Sequence, residues 1–155
     1  MKNFLKNLFK RSNKKETEEL GWLYNDTVKE HFFNPQNCLA DETNFISDGY
    51  GVVGSATCGD MMAVWININE DTKTISSCKW KTFGCPSAVA STSMMSVMIT
   101  ENGGMTLSRA KRLTPEAIIT RLIGLPDRKY HCSVLGHLAL REAIKNYETL
   151  YASAK

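Results

Sequence analysis

Proline is scarce, with 4 in 155 residues, and glycine stands at 10, so a collagen-like repeat or a proline-rich linker is excluded. No run of about 18 apolar residues is free of charged or strongly polar groups, which argues against a membrane-spanning helix. Acidic residues are missing from positions 1–15, which hold Lys2, Lys6, Lys10, Arg11, Lys14 and Lys15. The whole chain carries +3, so everything after this basic tail carries −3. A nucleic-acid binder would instead spread basic residues over a folded face and interleave them with aromatics. Paired CxxC motifs are lacking as well. The five cysteines, at 38, 58, 78, 85 and 132, cannot all pair within one chain, and no Ala-rich signal peptide precedes them. A disulfide scaffold is therefore not expected, and single cysteines in a reducing compartment point to metal binding, catalysis or core packing. That compartment is read as the cytoplasm, or an organelle if the tail is a targeting peptide.

Hydrophobic residues make up 43% and charged residues 23%, near globular averages, and at this length folding hides roughly two thirds of the unfolded surface. Residues 1–15 are read as a tail and 16–155 as one domain. In the tail Phe4, Leu5, Leu8 and Phe9 recur at helical spacing with the lysines mostly opposite, a pattern that suits a membrane surface, a partner, or a solvated arm. A helix is expected from Thr17 to Phe32, ended before Asn34-Pro35 because a residue preceding proline avoids helical angles. Strands are expected at Tyr50–Thr57, Met61–Asn69 and Thr74–Phe83, with Asn69–Lys73 as a hairpin turn. Helices follow at Pro86–Ile99, Thr106–Arg112, Thr114–Ile123 and Ser133–Tyr151. The third opens with Thr114 as N-cap and Pro115 at the first helical position. This order predicts an α+β fold: a three-stranded antiparallel sheet with helices packed on one face.

Three of the cysteines stand at the ends of elements. Cys58 lies in the turn Cys58-Gly59-Asp60 between the first two strands, Cys85 where a strand becomes a helix, and Cys132 where a break becomes the last helix. A helix N-terminus lowers a thiol's pKa by presenting unpaired N–H groups, and only the thiolate is a nucleophile or metal ligand. If the three turns converge, their thiolates repel unless a thiophilic cation neutralises them. With Asp60 or His131 they make four ligands, the number that tetrahedral zinc or a two-iron, two-sulfide cluster requires. Spacing alone leaves open the alternative that all are buried small hydrophobes.

The specific motifs narrow the choice. Asn34-Pro35 after the first helix, Cys58-Gly59-Asp60, Lys81-Thr82-Phe83-Gly84-Cys85 with Ser87-Ala88, and His131-Cys132-Ser133 occur in an order and spacing that resembles the IscU/NifU-type scaffold proteins of iron–sulfur cluster assembly. The resemblance runs from about residue 18 to 150. It implies a carrier with reactive thiols, not a turnover enzyme, whose Cys58, Cys85 and Cys132 bind iron and a transient 2Fe-2S cluster. Asp60 and His131 match the family's aspartate and histidine, and Cys132 its first persulfide acceptor. A carboxylate or imidazole in place of a fourth thiolate gives a weaker, less soft donor set, which suits a cluster that must be released. The implied partners are a cysteine desulfurase, an iron or electron donor of frataxin or ferredoxin type, and apo iron–sulfur acceptor proteins. A zinc-binding sulfur-transfer relay is the alternative, although no room exists between Cys85 and Cys132 for the insertion that marks that branch.

Two departures bear on what is inherited. Pro86 stands where many members carry glycine and stiffens the loop after Cys85. Leu125-Pro126-Asp127-Arg128-Lys129 replaces the LPPVK motif with a charged pair, which argues against recognition by the dedicated Hsp70-type chaperone. Lys81 is read either as a charge near the thiolates or as a solvated strand lysine. Cys38 is expected to be a loop cysteine and Cys78 a core residue beside Trp80. His31 and His137 are expected as surface or capping residues, and Met94, Met95 and Met98 as core filling.

Overall fold

A computed structural model describes residues 23–55 and 59–153. Helix α1 (Asp26–Phe33) begins where Asn25 caps it, its side-chain oxygen accepting from the Val28 N–H at 3.0 Å. It ends at Asn34, before the proline, as expected. Its start differs from expectation: residues 23–25 are not helical, and 17–22 lie outside the described residues. The capping bond is the physical reason, since an N-cap residue takes extended angles and stops the helix on its N-terminal side.

Strands β1 (Gly49–Ser55), β2 (Asp60–Asn69) and β3 (Thr74–Phe83) form one antiparallel sheet in the order β1-β2-β3. The period-2 pattern of β2 sends Met62, Val64, Ile66 and Ile68 inward, opposite Trp80, Cys78 and Ile75 of β3 in register. Each fully buried side chain of this size contributes roughly 1.5–3 kcal/mol. The β2–β3 hairpin turns through Lys73 at φ 55°, while the Asn69 carboxamide oxygen accepts from the Asp71 and Thr72 N–H groups.

Helix α2 (Pro86–Thr100) follows β3 and is stopped by left-handed Asn102 and Gly103 before a close approach at Gly104. A Cβ on Gly104 would lie 2.2 Å from the Ile75 carbonyl oxygen, so only glycine fits. Two short helices, α3 (Leu107–Lys111) and α4 (Pro115–Arg121), are capped by Thr106 and Thr114. Helix α5 (Tyr130–Ser153) then crosses β1 so closely that a Cβ on Gly49 or Gly51 would meet the Ala143 or Ala139 carbonyl at 2.4 or 2.3 Å. Helices α2 and α5 cover the inward face of the sheet with Met94, Met95, Met98, Leu135, Leu140 and Ile144, and the α+β arrangement is the expected one. The outer face leaves Tyr50, Val52, Met61 and Phe83 substantially exposed. No helix among the described residues is long and apolar enough to cross a membrane.

One boundary moves the site. The last helix begins at Tyr130 and not at Ser133, because a 3-10 turn at Asp127–Lys129 runs straight into it. Ser133 does not cap; its hydroxyl donates back to the Tyr130 carbonyl at 2.7 Å. Cys132 is therefore carried inside the first turn of α5, rigidly held and turned into the protein.

Candidate metal centre

Three segments distant in sequence bring a carboxylate oxygen of Asp60 and the sulfurs of Cys85 and Cys132 within 4.8 Å of one another. Asp60 opens β2 directly after Gly59, whose φ of 68° lets the chain enter the strand through a turn that a residue with a Cβ adopts reluctantly. Cys85 is the N-cap of α2, with extended angles (φ −74°, ψ 166°) and Pro86 at a position where a missing N–H leaves nothing unpaired. Its carbonyl accepts from the Ala88 and Val89 N–H groups at 2.9 and 3.2 Å, but its sulfur caps nothing. Instead the Cys85 thiol donates to the Cys132 sulfur at 3.0 Å.

Gly84 protects the arrangement. A Cβ there would lie 3.0 Å from the Ala88 Cβ and 3.3 Å from Asp60 Cγ, pressing on the carboxyl group. Asp60 is only 9% exposed, and its Oδ2 is buried without a hydrogen-bond partner among the described residues. Leaving a buried acceptor unmatched costs about 1–3 kcal/mol, a cost that a bound cation removes. Cys132 is 1% exposed, and its thiol is pushed up to about 12. Burial is the main cause, followed by the hydrogen bond and charge of Cys85 and then the charge of Asp60. The expectation that a helix N-terminus lowers this pKa is thus reversed, because desolvation together with the neighbouring Cys85 and Asp60 outweighs the helix end. Lys129 is the cation that opposes the rise.

Two soft sulfurs and a hard oxygen, mutually repulsive when ionised, fit a thiophilic cation such as zinc or iron, which would turn each repulsion into an attraction. Cys58 lies outside the described residues, two positions before Asp60 in the chain. His131 is exposed on the first turn of α5 and does not join the converging group. Lys81 is the solvated strand lysine of the two readings: it pairs with Glu42 Oε1 at 3.4 Å, half-exposed, one position beyond inward-facing Trp80. Lys129 acts on the thiol instead. Nothing in its local pattern announced this, since its approach to Cys132 depends on the 3-10 turn joining α5.

The remaining thiols and histidines separate cleanly. Cys78 is core, 1% exposed beside Trp80 on the inward face, and burial pushes its thiol up to about 12. Cys38 is exposed, in a short parallel bridge to Trp80. The histidines are less superficial than expected. His31 lies half-buried with Nδ1 2.8 Å from the Ser93 hydroxyl, and His137 is 9% exposed with Nδ1 2.9 Å from the Val134 carbonyl. Burial is the leading cause of a lowered pKa in both, since α1 packs on α2 and α5 is covered on this side.

Residues 23–153 match the NifU-like N terminal domain family. The chain belongs to that family. It is 40% identical over 125 residues to iron-sulfur cluster assembly scaffold protein IscU 1 of Archaeoglobus fulgidus, covering 81% of this chain and 76% of that one. To iron sulfur cluster assembly protein 1, mitochondrial, of Kluyveromyces lactis it is 39% identical over 125 residues, 81% of this chain and 67% of the relative. It is 38% identical over 136 residues to the nitrogen fixation protein NifU of Nostoc, covering 86% of this chain but only 44% of that longer protein. Among solved structures, a NifU-like protein (N-terminal) from Brucella abortus superposes with a TM-score of 0.59 at 19% identity, covering 82% of this chain and 95% of that one, a likeness of fold. The Archaeoglobus relative is named a scaffold protein and the Kluyveromyces relative an assembly protein for iron-sulfur clusters.

Proposed function

We propose that this protein is a scaffold on which an iron–sulfur cluster is built and from which it is handed on, with residues 16–155 as the scaffold domain. The observation that carries this reading is the convergence of Asp60, Cys85 and Cys132 within 4.8 Å, with one carboxylate oxygen buried and unpartnered among the described residues. Relatives at about 40% identity bearing the names of assembly and scaffold proteins support it. Iron and sulfide are the cargo, a transient 2Fe-2S cluster its assembled form. Cys58, Cys85 and Cys132 supply thiolates, with Asp60 as the fourth donor in preference to exposed His131. The hard carboxylate weakens one corner of the ligand set and favours release to apo acceptor proteins.

Sulfur arrives as a persulfide from a cysteine desulfurase. A scaffold thiolate attacks the terminal sulfur of the donor, the donor's S–S bond breaks, and the donor cysteine leaves as a thiolate. Cys132 is the acceptor the resemblance implies, and at 1% exposure it receives sulfur only once the Cys85–Cys132 pair opens. Cys85, half-exposed, is the more open thiol in this conformation. Iron or electron donors of frataxin or ferredoxin type complete the set of partners, and the basic residues 1–15 serve localisation or docking, not assembly.

Anaerobic reconstitution of the full chain with ferrous iron, cysteine, a desulfurase and a thiol reductant, which supplies the electrons that take persulfide sulfur to sulfide, tests the reading. The expected product is orange-brown, with sulfide-to-iron charge-transfer absorption and equal iron and acid-labile sulfide. A colourless protein that keeps one zinc and takes up sulfur without sulfide would establish the relay instead. Peptide mapping of the persulfide decides between Cys132 and Cys85 as the acceptor.

A further inference from the structure

Two adjacent residues at the start of α1 grip both thiol-bearing segments. The Tyr24 phenol is 8% exposed and receives the hydroxyl of fully buried Ser87 at 3.0 Å across 63 positions of sequence. Ser87 stands in the first turn of α2, two residues after Cys85, so this bond pins the turn whose cap is the thiol. Its backbone is pinned again, the Ser91 hydroxyl donating to the Ser87 carbonyl at 2.5 Å. Next to Tyr24, the Asn25 amide donates to the carbonyls of Leu122, Ile123 and Gly124 at 3.0, 3.2 and 3.1 Å, 97 to 99 positions away. These are carbonyls of the turn that ends α4, a turn that passes through left-handed Ile123 (φ 61°) and Gly124 (φ 100°). From Gly124 the chain runs through partly buried Leu125 and the tight 3-10 turn, closed by the Lys129 N–H to the Pro126 carbonyl at 2.7 Å, straight into Cys132.

We propose that Tyr24 and Asn25 act as a clasp: positioning residues that set the separation of the Cys85 and Cys132 sulfurs, one holding each side. Neither touches the sulfurs. The Asn25 side chain does two separable jobs, since its oxygen caps α1 while its amide holds the far turn. This inference rests on the scaffold reading only for its purpose; the coupling it asserts is a property of the thiol pair itself.

Cobalt(II) binding to the reduced full chain tests it, because thiolate-to-cobalt absorption reports how many sulfurs engage the ion. Asn25→Asp keeps an acceptor for the Val28 N–H but removes the three donor contacts; Tyr24→Phe removes the hydroxyl alone. Each is expected to weaken cobalt binding about tenfold, in the range found when residues that orient metal ligands are lost, with lower charge-transfer intensity per bound ion. The control is Tyr147→Phe, which removes a phenol bond to Glu70 of 2.8 Å on the other side of the molecule. It is expected to shift melting without altering cobalt affinity. If Tyr24→Phe does not fold, Ser87→Ala breaks the same bond from the other partner. Cobalt affinity and absorption within twofold of wild type in folded Asn25→Asp and in Tyr24→Phe or Ser87→Ala overturn the clasp, as does an equal loss in Tyr147→Phe. Failure of the wild-type chain to assemble iron and sulfide while the cobalt titrations still separate would defeat the scaffold reading and leave the clasp standing.

Discussion

Cys78 and Cys132 are each 1% exposed, and each thiol is pushed up to about 12, yet they belong to different regions of the molecule. Around Cys78 the cause is burial: it faces inward from β3 opposite Ile66, in a wall of aliphatic and aromatic side chains. Around Cys132 burial is joined by Cys85 at 3.0 Å and by Asp60, groups that repel a second negative charge and attract a positive one. An elevated thiol pKa therefore does not distinguish packing from chemistry. The neighbours do: a cation at Cys132 finds three donors, and one at Cys78 finds hydrocarbon.

The largest expected effect breaks this comparison at its root. Cys132→Ser or Cys85→Ser should weaken zinc binding by more than about 100-fold, exceeding what loss of an outer contact achieves. Cys78→Ser should leave zinc affinity unchanged while lowering unfolding free energy by about 1–3 kcal/mol, the penalty of a buried hydroxyl without a partner. Competitive zinc titration beside urea unfolding reads both, and equal zinc loss in Cys78→Ser would contradict the division.

Asp60→Ala sharpens it. Zinc affinity is expected to fall by at least about tenfold, but by less than on loss of a sulfur, because a hard oxygen is the weaker donor to a thiophilic ion. The metal-free protein should be unharmed, or more stable by up to about 1 kcal/mol, because an unmatched buried acceptor is removed. Thermal melts with and without zinc give the two signs, and a large loss of metal-free stability would mean the carboxylate is bonded after all.

A smaller effect distinguishes the two regions by pH. Folded Cys78 keeps its proton up to about 12, whereas an ordinary thiol loses it near 9.0. The folded state therefore binds more protons between those values, and stability falls as pH rises through that window. Replacing Cys78 by alanine should flatten the fall, measured by urea unfolding at pH 9 and pH 11. An unchanged slope would show that the thiol does not titrate as its burial demands. At the other thiol the same held proton must leave before a metal binds, so zinc affinity should climb with pH. Smallest is Gly84→Ala, whose Cβ crowds Ala88 and Asp60. It should cost roughly 1 kcal/mol and perturb zinc binding more than its distance from the sulfurs suggests, read from the same titration.

Much of this was legible in the chain. Pro86 after Cys85 announced the start of a helix, and the alternation from Met62 to Ile68 announced the inward face of a central strand. Asn69–Lys73 announced its hairpin. The start of α5 was not legible, because no glycine marks the passage from Asp127 to Tyr130; the 3-10 turn that bridges it is held by two backbone bonds, Lys129 N–H to the Pro126 carbonyl and Tyr130 N–H to the Asp127 carbonyl. For the same reason the burial of Cys132 and the influence of Lys129 were hidden. The grip of Tyr24 and Asn25 was hidden more deeply, since it joins positions 63 to 99 residues apart and carries no local period. Local rules reveal what neighbours in sequence do to one another, and these contacts are made by the fold.

Zinc K-edge X-ray absorption on the zinc-loaded full chain, beside Cys85→Ser and Cys132→Ser, addresses the convergence most directly. The account predicts sulfur scatterers at about 2.3 Å together with an oxygen near 2.0–2.2 Å, and the loss of one sulfur in either variant. A first shell of nitrogen and oxygen alone, or one left intact by both substitutions, would contradict it.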